Sequence, residues 1–253
     1  MPPAASLMPS RPNSAATNAD FEFAGLREAA NYRRALAKGF RPYLQGRVLE
    51  VGAGIGQMTR EFRALAGVTE IVAVEPEARF VTQLEAFLPQ AAIVHGVAAD
   101  VPVDPGWDAL VSINVLEHIE RDQEELQRFH QLLAAKGGHL CLFVPARPEL
   151  YAPLDRDFGH FRRYTRPELR AKLERAGFVV ERLYYYNLPG YFAWLLSFRV
   201  LRRRGFTASA VRFFDRYIFP VAFWCESRLC APPFGQNLVA IARAGADVGR
   251  AKD

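Results

Sequence analysis

The stretch VLEVGAGIG, Val48 to Gly56, ends an apolar run in three glycines at alternate positions, Gly52, Gly54 and Gly56. The segment behind it, QMTREFRALA, has helical spacing. A strand, a tight turn and a helix are implied, with side chains removed where a ligand must approach the backbone. This is a nucleotide-type site whose ligand the three glycines alone do not choose.

Outward from that turn the chain alternates. LREAANYRRALAKGFRPYL precedes it as a helix; EIVAVE, AAIVHG, WDALVSINV and GGHLCLFVP read as further strands, with ARFVTQLEAFL and RDQEELQRFHQLLAA as helices between them. RPELRAKLERAGF is a helix with Pro167 in its first turn and Gly177 as its stop. The strands VVERLYYYN and NLVAIARA close the series. Val-, Ile- and Leu-rich strands between amphipathic helices predict an α/β fold, a doubly wound and mostly parallel sheet of seven strands. About fifty residues separate the last two strands, too many for a structureless connection, so a helical cap is expected over 188–235, with a core over 25–187 and the last strand in 236–253.

Composition narrows the setting. Of 253 residues half are apolar, enough for one sizeable core. Residues 1–24, rich in Pro, Ser, Ala and Asn, lack a continuous apolar run and read as a mobile tail, so a cytoplasmic protein is expected. Cys141, Cys225 and Cys230 form no CxxC pair and have no histidine at metal spacing; reduced thiols and no metal site are expected. The net charge of +5 favours anionic partners without choosing one. Its placement is more telling, because Arg199, Arg202, Arg203, Arg204, Arg212 and Arg216 stand among aromatic residues with Asp215 as the single acid between them.

The glycine spacing disfavours NAD and FAD, since Gln57 stands where GxGxxG needs its third glycine. The pattern present is ExGxGxG from Glu50. With Glu75 at the end of the next strand, SINVLEHI over 112–119, and AAKGGHLCLFVP, it resembles the class I S-adenosylmethionine-dependent methyltransferases from about Asn31 to Phe178. The resemblance implies S-adenosylmethionine as cofactor. Glu50 would attract its ammonium group, Gly52, Gly54 and Gly56 would admit it, Glu75 would take the ribose hydroxyls, and the Asn114 carbonyl would meet the methionine end. Relatives often carry Gly-Asp-Ala before the fourth strand to hold the adenine; here the residues are Gly96-Val97-Ala98, so either the backbone of Val97 and Ala98 serves or Asp100 reaches back. Tyr32, on the helix before the first strand, is placed as an aromatic cover over the sulfonium.

The acceptor side is expected in His118 and in the loop ELYAPLDRDFGHFRRYTRPEL, Glu149 to Leu169. His118, His160 and Tyr164 are the candidate catalytic residues, with a general base needed only if the acceptor loses a proton. Arg162 and Arg163 would hold an anionic group of the substrate. The plainer readings are that His118 packs at a helix start and that the two arginines brace the loop against Asp155 and Asp157. The Gly-His-x-Arg-Arg-Tyr segment resembles a subgroup associated with glycan, glycolipid and secondary-metabolite pathways, an association that names no substrate. With the cofactor motifs intact, two histidines near the transfer edge and a cap to enclose an acceptor, O-methylation of a small-molecule, glycan or lipid-linked acceptor is expected. Alternatives are a non-methylating protein on the same scaffold, or an RNA methyltransferase. The latter is disfavoured because no RNA-binding module or Asn-Pro-Pro-Tyr-like motif is present, and no nucleic-acid partner is expected. The uncharged stretch Tyr184 to Phe198 is fifteen residues long, too short to span a bilayer. It fits either a peripheral contact with the inner membrane face or a closed roof over a soluble substrate.

Overall fold

The computed structural model describes residues 27–203, 205, 207–229 and 231–245. The expected tail, residues 1–24, lies outside them, as do Arg204 and Cys230. Seven strands form one sheet: β1 (Gly46–Val51), β2 (Val68–Glu75), β3 (Ala92–His95), β4 (Ala109–Ile113), β5 (His139–Pro145), β6 (Phe178–Tyr186) and β7 (Asn237–Ala244). Their order is β3-β2-β1-β4-β5-β7-β6. The first five run parallel and β7 runs antiparallel to both neighbours. The order reverses between β1 and β4, so a crevice opens beyond the carboxyl ends of those strands, the standard ligand position in open α/β sheets.

The period of two in a strand divides the core. Leu49 and Val51 of β1 join Leu110, Leu140 and Leu142 on one face, under helix α4 (Asp122–Ala134) and helix α6 (Arg166–Arg175). Val48 turns to the other face with Val111, Cys141 and Phe143, under helix α1 (Ala30–Phe40) and helix α2 (Gln57–Arg63). Each such side chain contributes about 1.5–3 kcal/mol by leaving water. Helix α3 (Ala78–Phe87) covers β2 with Leu84. Local signals agree with these boundaries. Thr165 accepts the Glu168 N–H at the start of α6, and Gly177 ends it at φ +95°, where a side chain would strike the His130 ring. Two details differ from the sequence reading. Leu116–His118 forms a separate 3₁₀ turn rather than the start of α4, and the loop after β5 contains a short helix, α5 (Pro153–Asp157).

Three helical pieces fill the connection between β6 and β7. Helix α7 (Leu188–Trp194) runs on through a π-helical segment, Leu195–Val200. Helix α8 (Ala208–Phe213) continues through a second, Phe214–Ile218, into helix α9 (Phe219–Arg228). Three anchors fix this cap. The Glu226 carboxylate accepts the N–H groups of Asn187 (3.0 Å) and Leu188 (2.8 Å). Trp194 and Phe198 pack with Leu150, Ala152 and Leu154. Buried Asp215 accepts the N–H groups of Asn31 and Tyr32, each at 2.9 Å, and so caps α1 from the segment packed on it. Among the described residues no helix is long and apolar enough to cross a membrane.

Candidate active site

A cavity of about 1360 Å³ lies beyond the carboxyl ends of β1, β2, β4 and β5 and is roofed by the cap. That exceeds the usual volume for one ligand. It is lined by Glu50, Gly52, Gly54 and Glu75 from the ends of β1 and β2, by Asn114, Glu117, His118 and His160 from the segments after β4 and β5, by Tyr32, and by Trp194, Phe198 and Phe214 of the cap.

The glycine turn is shaped by contact. Gly52 sits at φ +78°, and a side chain there would collide with Val115. Gly54, at φ +56°, donates its N–H to Glu75 Oε2 at 2.8 Å. Glu75 also accepts from Glu77 N–H at 3.0 Å, yet burial raises its pKa. Glu50 is buried, its Oε2 has no hydrogen-bond partner, and desolvation lifts its pKa to about 8. A buried carboxyl with one oxygen unpaired, facing a cavity, suits a cationic ligand. The Asn114 Oδ1 is likewise buried without a partner, on a residue held at φ +52°. Tyr32 donates to Asn237 Oδ1 at 3.3 Å and meets Phe143, Tyr186 and Phe219 by its ring, so it is a fixed part of the wall.

Two expected cofactor contacts lie elsewhere. Gly56 is outside the cavity wall; a side chain there would run into Leu84 of α3, so its bareness serves helix–strand packing. Ala98 is fully buried and gives its carbonyl to Arg128 Nε at 3.1 Å. Asp100 does reach back, but to its own turn, accepting the Val97 N–H at 2.8 Å.

On the acceptor side the structure brings two of three expected catalytic residues together. His118 and His160 meet edge to face with ring centroids 4.6 Å apart. Phe161 N–H donates to the Glu117 carbonyl at 2.8 Å, which sets the register of the loop against the 3₁₀ turn. His160 Nδ1 lies 3.1 Å from Asp155 Oδ1, an arrangement in which Nδ1 carries the proton. Burial, then the neighbouring His160, depress the His118 pKa to about 3, so its ring is neutral at ordinary pH.

Tyr164 corrects the sequence reading. It is fully buried and outside the cavity wall, its hydroxyl 3.0 Å from Asp122 Oδ2 and 3.2 Å from the Leu116 carbonyl. It cannot face an acceptor. The arginines are committed as well. Arg162 pairs with Asp122 at 2.8 Å and donates to the Glu120 carbonyl. Arg163 borders the cavity but pairs with Asp155 at 2.8 Å, donates to the Ala146 carbonyl and stacks over Trp194. Neither guanidinium is left for a substrate anion, and the bracing role holds, with Asp122 as a partner that sequence reasoning missed. For Asp155, burial acts upward but His160, Arg163 and the Ala152 N–H outweigh it, and its pKa is lowered. Glu117 was also missed, although it adjoins His118 in the sequence.

Residues 23–183, well over half of the chain, match the family described as "Methyltransferase domain". The chain belongs to this methyltransferase family. No curated protein matches it in sequence. Solved structures share the fold at low identity. A candidate methyltransferase from Bacillus halodurans C-125 is 20% identical at a TM-score of 0.59, covering 83% of this chain and 99% of its own. An S-adenosylmethionine-dependent methyltransferase from Mesorhizobium loti is 16% identical at 0.56, covering 82% and 95%. A phosphoethanolamine N-methyltransferase from Haemonchus contortus, in complex with S-adenosylhomocysteine, is 15% identical at 0.57, covering 85% and 52%. This methyltransferase fold implies S-adenosylmethionine as the methyl donor. Glu50, Gly52, Gly54 and Glu75 fit such a ligand, since they combine an unpaired buried acid, open backbone and a carboxylate at the end of β2.

Proposed function

We propose that this methyltransferase methylates an oxygen of a small-molecule, glycan or, most specifically, lipid-linked acceptor. The observation that carries this reading is one continuous cavity lined by the glycine turn and Glu75, by His118 and His160, and by an apolar roof. The donor supplies an electrophilic methyl group on a positively charged sulfur. Glu75 and Glu50 bind and orient the donor, while the cap excludes water. With the donor bound, transfer of its methyl group to the acceptor oxygen would leave the donor sulfur neutral and pass the acceptor's O–H proton to solvent, so alignment is the enzyme's main task.

The lipid-linked choice rests on the outer face of the cap. Phe192, Leu196 and Val200 form one row at helical spacing, and Phe213, Tyr217, Val221 and Trp224 form another; each is more than half exposed. Arg199, Arg202, Arg203, Arg216 and Arg228 are exposed beside them. Phe213 also borders the cavity, so the row reaches its rim. Apolar rows edged with arginine suit an anionic bilayer surface, at about 1 kcal/mol per arginine near that surface.

The test has two arms. Labelled methyl donor with lipid and aqueous cell fractions should mark a lipid-soluble product; label only in water-soluble material would reject the lipid acceptor, and no label in either would reject methyl transfer. The full chain should pellet with anionic vesicles at low salt, and Arg199→Gln/Arg202→Gln/Arg203→Gln should weaken that binding roughly 100-fold. Wild type left in the supernatant would make the cap a roof over a soluble substrate.

A further inference from the structure

We propose that Glu117, His118 and His160 form a divalent metal site at the acceptor end of the cavity. Each offers one ligand atom, and those atoms all lie within 4.8 Å of one another. All three residues line the cavity. Glu117 and His118 are adjacent on the turn after β4, and His160 comes from the loop after β5. The Phe161 N–H to Glu117 carbonyl bond holds the two pieces together, so the set is built by backbone as well as by side chains.

The surroundings of His160 are those of a ligand. With Nδ1 turned to Asp155, Nε2 is the ring nitrogen that would serve as the ligand atom. Asp155 is itself fixed by Arg163 Nε at 2.8 Å and by the Ala152 N–H at 2.8 Å. A carboxylate behind a histidine sets its tautomer and orientation and raises its basicity toward a metal. Asp155 is thus a positioning residue.

Two imidazoles and one carboxylate suit Zn²⁺, Fe²⁺, Mn²⁺ or Co²⁺ rather than Mg²⁺ or Ca²⁺, which prefer oxygen. Three protein ligands leave positions open, the mark of a catalytic rather than a closed structural site. An acceptor hydroxyl or enol can fill one of them, and the ion lowers its pKa so that the proton leaves to water without a histidine base. This use rests on the methyl-transfer reading; the binding of the ion does not.

The experiment uses the full chain, stripped with a chelator and titrated with Co²⁺, followed by its visible absorption, and with Zn²⁺ in competition. S-adenosylhomocysteine binding is measured on the same samples. One ion per chain is expected. His118→Gln and His160→Gln should each weaken binding about 100-fold or more, and Asp155→Asn roughly 10–100-fold, with S-adenosylhomocysteine affinity kept. If the His160 variant fails to fold, the half-buried His118 position decides alone. Wild type that binds S-adenosylhomocysteine but no ion, or ion binding equal in wild type and His118→Gln, overturns the site. Ion binding without S-adenosylhomocysteine binding would instead overturn the methyl-transfer reading and leave the metal site standing.

Discussion

Glu50→Gln should stabilise the ligand-free protein while impairing donor binding. Glu50 is buried, and desolvation raises its pKa from the usual 4.5 to about 8. Between those values the folded chain holds a proton that the unfolded chain has released, so stability falls as pH rises through that window. At 1.36 kcal/mol per pH unit, the burden at pH 7 is roughly 3 kcal/mol. Glutamine has the same shape and no titration, so it removes the slope. Urea unfolding at pH 5 and pH 8 measures the effect: the variant's advantage should be under about 1 kcal/mol at the lower pH and several kcal/mol at the higher. Donor binding should show the converse. A cationic ammonium beside Glu50 requires the carboxylate, so wild type should release a proton on binding and bind more tightly as pH rises toward 8, and the variant should do neither. Calorimetry in buffers of different ionisation enthalpy reads that proton. Parallel stability profiles for the two proteins would refute the assignment of a strained, proton-bearing Glu50.

Glu75→Ala removes the acceptor of the Gly54 N–H and the proposed ribose contacts, each worth roughly 1.5–3 kcal/mol, so calorimetry should find donor affinity reduced about 100-fold or more; unchanged affinity would remove Glu75 from the site. Tyr164→Phe should cost about 1 kcal/mol in thermal or denaturant unfolding and leave turnover intact, because its hydroxyl serves only buried partners, Asp122 and the Leu116 carbonyl. Because burial holds His118 neutral down to about 3, no step in the pH–rate profile near 6.5 should respond to His118→Gln; a step lost in that variant would restore His118 as a base.

The sheet was legible because apolar strands between amphipathic helices leave few alternatives, and the glycine turn because only backbone freedom explains Gly52 and Gly54. The site was legible by residue type more than by orientation. Arg162 lies forty residues from Asp122, and Tyr164 forty-two, yet all three converge; nothing local marks a charge as already neutralised by a distant partner. Gly56 belongs to the same motif as Gly54 but faces Leu84, a distinction made by where α3 packs. The expectation of no metal rested on cysteine and histidine spacing along the chain, whereas Glu117, His118 and His160 meet only because the fold sets two segments side by side.

The bond from Asp215 to the first turn of α1 spans 184 residues of sequence and joins the cap to the helix before the first strand. If the cap swings outward, two amide groups of α1 lose their acceptor, each at a cost of about 1–3 kcal/mol where water cannot replace it. Tyr32 follows directly, since its own N–H is one of the two. The roof over one ligand and the wall beside the other therefore share a single latch. A ligand that bound only with the roof shut would also favour the set wall, and by reciprocity a ligand on that wall would favour the shut roof by the same factor.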